Sequence, residues 1–329
     1  MNDPLPVQLL SPWLNDNKRF QQDMASYDAG LGKLADVRDT LNIEVATIAR
    51  RCPLAAVDAA DCSITFGDRL SILVQAVKIE DDGSTIFAEP LRYTGINGHD
   101  TRLANTPMRI AEECKLLAVA TSPTIADLSY WSFLMDVNQA ITRRENAATV
   151  PLKNAVKCLV EDGTFISMIE NRFVIPMTKT SESDTIKPGI SDREVLTRVL
   201  HPNEFTSPRL LVDITTGSFG IERRGFTDGE RRLLEEMYKH HLGVIFFKPH
   251  PWSRAYRIEG HFDRLNDNHF LMPLLAAVAH HTTDRTIVEP WPQFLADFTA
   301  RKVSGVGRLY GEDNRFRQTH QHFIRNRTR

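Results

Sequence analysis

Only four cysteines occur in 329 residues, Cys52, Cys62, Cys114 and Cys158, with no CxxC spacing and no histidine at zinc-ligand offsets. That excludes a disulfide framework and a structural zinc ribbon, and leaves reduced packing thiols of a cytoplasmic protein. No apolar run reaches the ~18 residues that a membrane span requires. The opening MNDPLPVQLLSPWLNDNKR lacks a basic stretch followed by an apolar core, so no secretory signal is expected. Repeats, low-complexity tracts and Gly/Ser-rich linkers are also missing. Nor is there an excess of one charge: 40 Lys and Arg against 42 Asp and Glu give a net charge of −2. The chain is therefore not a polycation, and any contact with nucleic acid must use local basic patches.

What is present is the composition of an ordinary globular chain, 42% hydrophobic and 25% charged. Without a linker, one compact domain at residues 51–312 is expected, with an N-terminal helical arm at 1–50 and a basic tail at 313–329. The tail RFRQTHQHFIRNRTR carries five arginines and no acid. Its HQH at 320–322 has no third ligand in view and reads as tail, and the arginines suit DNA phosphate or the acidic rim of a partner.

The segment PLAAVDAADCS raises a physical problem. Small and apolar residues lead straight to Asp58, and a buried carboxylate is costly unless something pairs with it. Alternation in SILVQAVKI and STIFAEPLRY predicts a hairpin that turns at EDDGS. A helix is expected from Thr106 to Thr121, with Thr106 as N-cap and Pro107 at its first position. DLSYWSFLMDV then reads as a short buried strand ending at Asp136. Further on, RFVIPMTKTSES predicts a strand entering a polar loop, and SDREVLTRVL a helix capped by Ser191. A helix in TDGERRLLEEMYKHH joins two strand regions. FLMPLLAAVAHHTT predicts an apolar helix, serving as core or as a dimer interface, and PWPQFLADFTARKVS a last helix bearing Asp297.

The acids thus follow an order: Asp58 at the end of a first strand, Glu112 or Glu113 on the next helix, Asp136 ending a fourth strand, Asp297 on a late helix. This is the layout of an RNase H-like nuclease, an α/β mixed sheet flanked by helices. Mg2+ and Mn2+ prefer hard oxygen ligands, and two such ions suit phosphodiester hydrolysis. Glu113 shares a helix face with Ile110 and Leu117, whereas Glu112 lies with Lys115 and Leu116, so Glu113 is preferred.

At this point the chain resembles the NurA nucleases over roughly residues 50–305. LAAVDAADCS is similar to the family's first strand, usually Asp-Gly-Ser, and FLMDVNQAI to its second, Asp-Gly-Ser-Leu. VIPMTKTSESD and ISDREVLTRVLHPNEFTSP resemble its Lys-Thr-Ser loop and the Asp-initiated helix that follows. AYRIEG and EPWPQFLADFTARKVS resemble its Tyr-Arg-Val-Glu strand and terminal Tyr-Pro helix. The match departs at Ala59 and Val137, which stand where glycine is usual. It departs again at Glu289 and Asp297, which stand where the family has Tyr and His.

The resemblance implies a divalent-metal-dependent DNA exonuclease and single-strand endonuclease, using Mn2+ or Mg2+ in a two-metal site and acting as a homodimer. Asp58, Glu113, Asp136 and Asp297 are its expected metal ligands, with Glu112 and Glu289 as further candidates and Lys179 on the scissile phosphate. It also implies a hexameric HerA-type ATPase as partner, in DNA end processing or anti-phage defence. No GxxxxGK[ST] loop occurs here, so a motor would be a separate chain. The competing expectation is a catalytically inactive adaptor that docks or gates the ATPase.

Several residues invite two readings. Asp213 imitates a strand-end acid but follows the Lys loop, where the family pattern has none, and is left out. Arg257 and Glu259 read as a structural strand pair. Lys248, His250 and Arg254 could line a DNA channel with Trp252 as a stacking surface, or form an exposed loop.

Overall fold

The computed structural model describes residues 34–48, 50–66, 69–96, 105–142, 156, 159–178, 183–214, 226–283, 285, 287 and 289–305. Most of the expected arm and the whole basic tail lie outside them. Within the described part of the arm the helical expectation needs correction. Ala35–Arg38 is a single helical turn, but Ile43–Val45 forms a strand, β1. Ile43 and Val45 are β-branched and pair antiparallel with residues 204–206. The Arg38 guanidinium fixes this register with a fork to both oxygens of Glu204, each at 2.7 Å.

Alternating small and branched residues build a long hairpin from β2 (Ala55–Phe66) and β3 (Arg69–Ile79). Strands β4 (Thr85–Phe87) and β5 (Leu91–Ile96) both pair with β3. The turn falls at EDDGS as expected: Gly83 takes φ +83° and Asp82 Oδ1 accepts the Ser84 N–H at 2.8 Å. Helix α1 (Asn105–Ala118) follows, then β6 (Thr124–Ala126), α2 (Tyr130–Thr142), α3 (Thr164–Glu170) and β7 (Val174–Thr178). Strand β6 lies parallel to β2, and β7 parallel to β6. An antiparallel meander continued by two parallel strands is the RNase H-like arrangement that the order of acids predicts.

The sheet extends further through α4 (Asp192–Val199), β8 (Glu204–Thr206), β9 (Arg209–Leu210), α5 (Asp228–Glu236), β10 (Leu242–Lys248) and β11 (Tyr256–His261). Its eleven strands run β1-β8-β10-β11-β7-β6-β2-β3-β4, with β5 on β3 and β9 on β10. Helix α6 (Asn268–His281) and a helix at 291–305, α7, close the described chain. Ser191 caps α4 by accepting the Glu194 N–H, and Thr227 with Glu230 forms a capping box on α5. Two large apolar cores result, beside a small cluster of Leu34, Ile190, Val195 and Val199. One packs α1 and α2 on Val57, Ile72 and Val74; the other packs α6 and α7 on Ile125, Ile175, Ile245 and Ile258. Leu271, Leu274, Leu275 and Val278 of α6 are buried in the second, so that apolar face belongs to the core.

The expected strand ending at Asp136 is a helix. Tyr130, Phe133, Leu134 and Val137 are all buried, a spacing of three and four that matches a helical face. Its dense apolar residues hid that period. The true strand is the three-residue Thr124–Ala126, and the acid that ends it is Asp127.

Gly243 marks the tightest backbone approach. A Cβ there would stand 2.9 Å from Phe262 Cδ2 and 3.2 Å from the Arg209 carbonyl oxygen. Gly243→Ala is expected to destabilise the fold by about 1–3 kcal/mol. Chemical denaturation would measure it, and an unchanged midpoint would show that the β10 edge yields freely.

Candidate active site

The site begins where β6 stops. Val57 of β2 is level with Ala126, the last residue of β6, so Asp58 and Asp127 stand side by side just past the final pair. The Ala55 N–H points toward the β6 side, where it bonds to the Pro123 carbonyl. Two residues apart on a strand the direction repeats, so the Ala59 N–H points the same way. No strand remains there to receive it. It donates instead to Asp58 Oδ1 at 2.7 Å and to Glu113 Oε1, on α1, at 3.1 Å.

Both carboxylates are buried. Arg109, one turn before Glu113 on α1, brings Nη2 to 3.5 Å from Asp58 Oδ1. That partial compensation is insufficient. Burial first, and the adjacent charge of Asp58 second, push the Glu113 carboxyl up to about 8, and the charge of Asp127 adds to the shift. Glu113 and Asp127 line one cavity of about 190 Å3, together with Arg109, Ser129, Ser132 and Asp136. Among the described residues no group of three or more His, Cys, Asp or Glu side chains is close enough to hold a metal. Two carboxylates converge, and the third is level with them on the neighbouring strand.

The other expected residues divide clearly. Glu112 is buried, but it turns to Lys115 and does not line this cavity. Burial raises its carboxyl as well, against the Lys115 ammonium. Asp136 lines the cavity from α2, not from a strand end. Asp297 is bound to Arg301 Nε at 2.8 Å, one helical turn away, and does not line the cavity. Glu289 is buried beyond β11, where its charge is felt by Tyr256. Lys179 lies outside the described residues. Asp213 sits in a helical turn, Leu211–Ile214, away from the cavity. His250 stacks on Trp252 at 4.9 Å, which occupies one face of that indole.

Asp127 is the residue that the sequence reading missed. The signal was available: Asp127-Leu128-Ser129 keeps the Asp-x-Ser order that the resemblance places after a buried strand. Leu128, rather than Val137, is then the residue in the glycine position.

A second buried network holds Asp127 in place. Glu259 on β11 is sealed from solvent; it accepts the Ser129 hydroxyl at 2.9 Å and the Tyr130 N–H at 2.8 Å. It thereby caps α2 immediately after the strand-end acid. Arg257 supplies its counter-charge through Nε at 2.8 Å and Nη2 at 2.7 Å. The pair is structural, as its strand setting suggests. Glu259→Ala takes the carboxylate away from buried Arg257, and is expected to cost about 3–5 kcal/mol. A double-mutant cycle with Arg257→Met measures the coupling; a loss under 1 kcal/mol, within the range of an ordinary exposed pair, would refute it.

Glu113 gives a pH signature to the metal-free protein. Its carboxyl titrates near 4.5 in the unfolded chain and near 8 when folded. The unfolded chain therefore releases its proton first, and stability falls as pH rises through that window. Glu113→Gln removes this slope and is expected to be more stable than wild type by about 1–3 kcal/mol at pH 8. Parallel pH–stability curves for the two proteins, measured in chelator, would contradict the assignment.

Comparison with models of known protein families finds no match, and no curated protein matches the sequence. Solved structures do match. The NurA nuclease from Sulfolobus solfataricus superposes with a TM-score of 0.61 at 14% identity, over 94% of this chain and 97% of that one. A NurA structure with manganese aligns at a TM-score of 0.57 and 8% identity, over 87% of this chain and 95% of that one. A NurA structure bound to dAMP and manganese gives a TM-score of 0.57 at 8% identity, over 88% and 93%. Over nearly its whole length, then, this chain has the fold of the NurA nucleases.

Proposed function

We propose that the chain is a divergent NurA-type deoxyribonuclease dependent on a divalent cation, Mn2+ or Mg2+. The observation that carries this reading is the pair of buried carboxylates, Asp58 and Glu113, sharing one amide beside a third acid, Asp127. All donors at the cavity are hard oxygens, and the raised Glu113 carboxyl marks a site short of positive charge, so the residues fit such an ion. Asp58, Glu113 and Asp127 would hold it, with Asp136 on the same cavity wall as a ligand to a second ion. A cation there supplies Lewis acidity for phosphodiester hydrolysis.

The chain's own groups set the rest. The Ala59 N–H orients the facing oxygens of Asp58 and Glu113. Near neutral pH Glu113 holds its proton and releases it when a cation binds, so affinity rises with pH. Arg109, partly exposed and 3.5 Å from Asp58, stands ready to meet substrate phosphate. Lys179 follows Thr178, whose partner on β11 is Arg257. We assign it to the scissile phosphate, and we leave Asp297 out of the set. The same reading includes a homodimer and a HerA-type hexameric ATPase that delivers DNA, in end processing or anti-phage defence. The adaptor reading draws on one observation, that Asp127 is exposed and does not close on the other two acids.

Digestion of end-labelled single- and double-stranded DNA in Mn2+ or Mg2+, with and without a co-expressed HerA-type ATPase, tests the proposal. Asp58→Ala and Asp127→Ala should each reduce cleavage by ~10²-fold or more. Asp297→Ala should fall within a few-fold of wild type. If folded wild type binds the ATPase but cuts under no condition, the adaptor reading replaces the enzyme.

A further inference from the structure

One buried cation has no carboxylate partner among the described residues and no part in the proposed hydrolysis. Arg193 follows Asp192 on α4 and is only 7% exposed. Its Nε donates to the Ala255 carbonyl at 3.0 Å. Among the described residues that is its one side-chain hydrogen bond, and no carboxylate stands within ion-pair distance. Its Nη groups, four of the five donors of the guanidinium fork, bond to none of the described residues. The nearest strong influence after burial is another cation, the exposed Arg254, and both act against its charge.

Its position explains what the fork faces. Ala255 directly precedes β11, and two residues on, Arg257 pairs with Thr178 at the end of β7. Strand β7 in turn borders β6, whose end is Asp127. The charges of Asp127 and Glu194 both reach Arg193. Arg193 thus sits at the sheet edge that carries the candidate active site, by a strand that lies two from β6 and three from β2. Desolvating a guanidinium without a carboxylate weakens a fold, and the geometry of its free donors matches a phosphate.

We propose that Arg193, with Arg254 at the rim, binds a backbone phosphate of the nucleic acid that the site cleaves. This rests on the deoxyribonuclease reading and assigns it a substrate-binding group. Arg257 is the internal contrast: equally buried, on the same edge, but neutralised by Glu259.

The test is binding without chemistry. A fluorescein-labelled single-stranded oligonucleotide is titrated with full-length protein in EDTA, across a range of salt. Arg193→Met is expected to weaken binding by about 10-fold and to lower the salt slope by about one ion. Its melting temperature should equal or exceed that of wild type, because a merely structural arginine would lower it. Arg193→Lys keeps the charge but loses the fork. It should bind several-fold more weakly with the wild-type salt slope, and it serves if the Met variant fails to fold. Arg254→Ala should weaken binding by a few-fold. Wild-type affinity in Arg193→Lys, or a lowered melting temperature with unchanged affinity in Arg193→Met, would overturn the proposal. If wild type binds and cuts DNA while the variants bind equally well, this inference alone fails. If wild type neither binds nor cuts, the deoxyribonuclease reading fails with it.

Discussion

Two carboxylates that accept the same backbone N–H repel each other, and burial denies them the water that would screen that repulsion. Asp58 and Glu113 are in that position because β6 ends at Ala126, which leaves the Ala59 N–H facing a gap instead of a strand. The gap is open because Asp127 begins the turn into α2, and α2 can start there because Glu259 receives the Ser129 hydroxyl and the Tyr130 N–H. Arg109 supplies only part of the missing positive charge, so Glu113 takes up a proton instead. The strain is electrostatic, and it depends on the length of a single three-residue strand.

That dependence also explains which parts of the structure could be read in advance. The Glu80–Ser84 turn, the Ser191 cap and the capping box at Thr227 are local: each rests on residues within four positions of one another. Asp58 stood out because a buried carboxylate is anomalous wherever it occurs, and Glu113 because helical spacing put it on the apolar face. Asp127 did not stand out, since a strand of three residues offers no periodicity to detect. The dense apolar run of α2 drew attention to Asp136 instead. At Asp297 the family pattern and the local pattern point apart. The family pattern pointed to it, whereas the simple i,i+4 partner, Arg301, is what engages it. Strand β1 was hidden for a third reason. Its pairing partner lies about 160 residues away in β8, and nothing near Ile43–Val45 announces it.

Arg193 and Arg257 lie on one sheet edge in contrasting surroundings. Both are buried and both carry a charge that the fold must accommodate. Arg257 is satisfied by Glu259, and the pair does architectural work by capping α2. Arg193 has a single carbonyl partner and a like-charged neighbour. No sequence pattern distinguishes the two, because whether an arginine is compensated depends on what the fold brings beside it.

The charges along this edge are of opposite sign, and among the described residues no ion pair joins Arg193 to the acids. Asp58 lies on β2 and Asp127 just past β6, Arg193 lies by the start of β11, and β7 stands between β6 and β11. A direct ion pair would satisfy both and leave an inert structural network. Their separation keeps an excess of negative charge at one end of the edge and of positive charge at the other. A divalent cation bound together with a phosphodiester carries the complementary pattern, cation toward the acids and anion toward the arginines. On the proposed function, either half alone leaves the opposite charge exposed to the same desolvation cost, and binding of metal and of nucleic acid would each favour the other. That coupling follows from the placement of the charges, without any movement of the sheet.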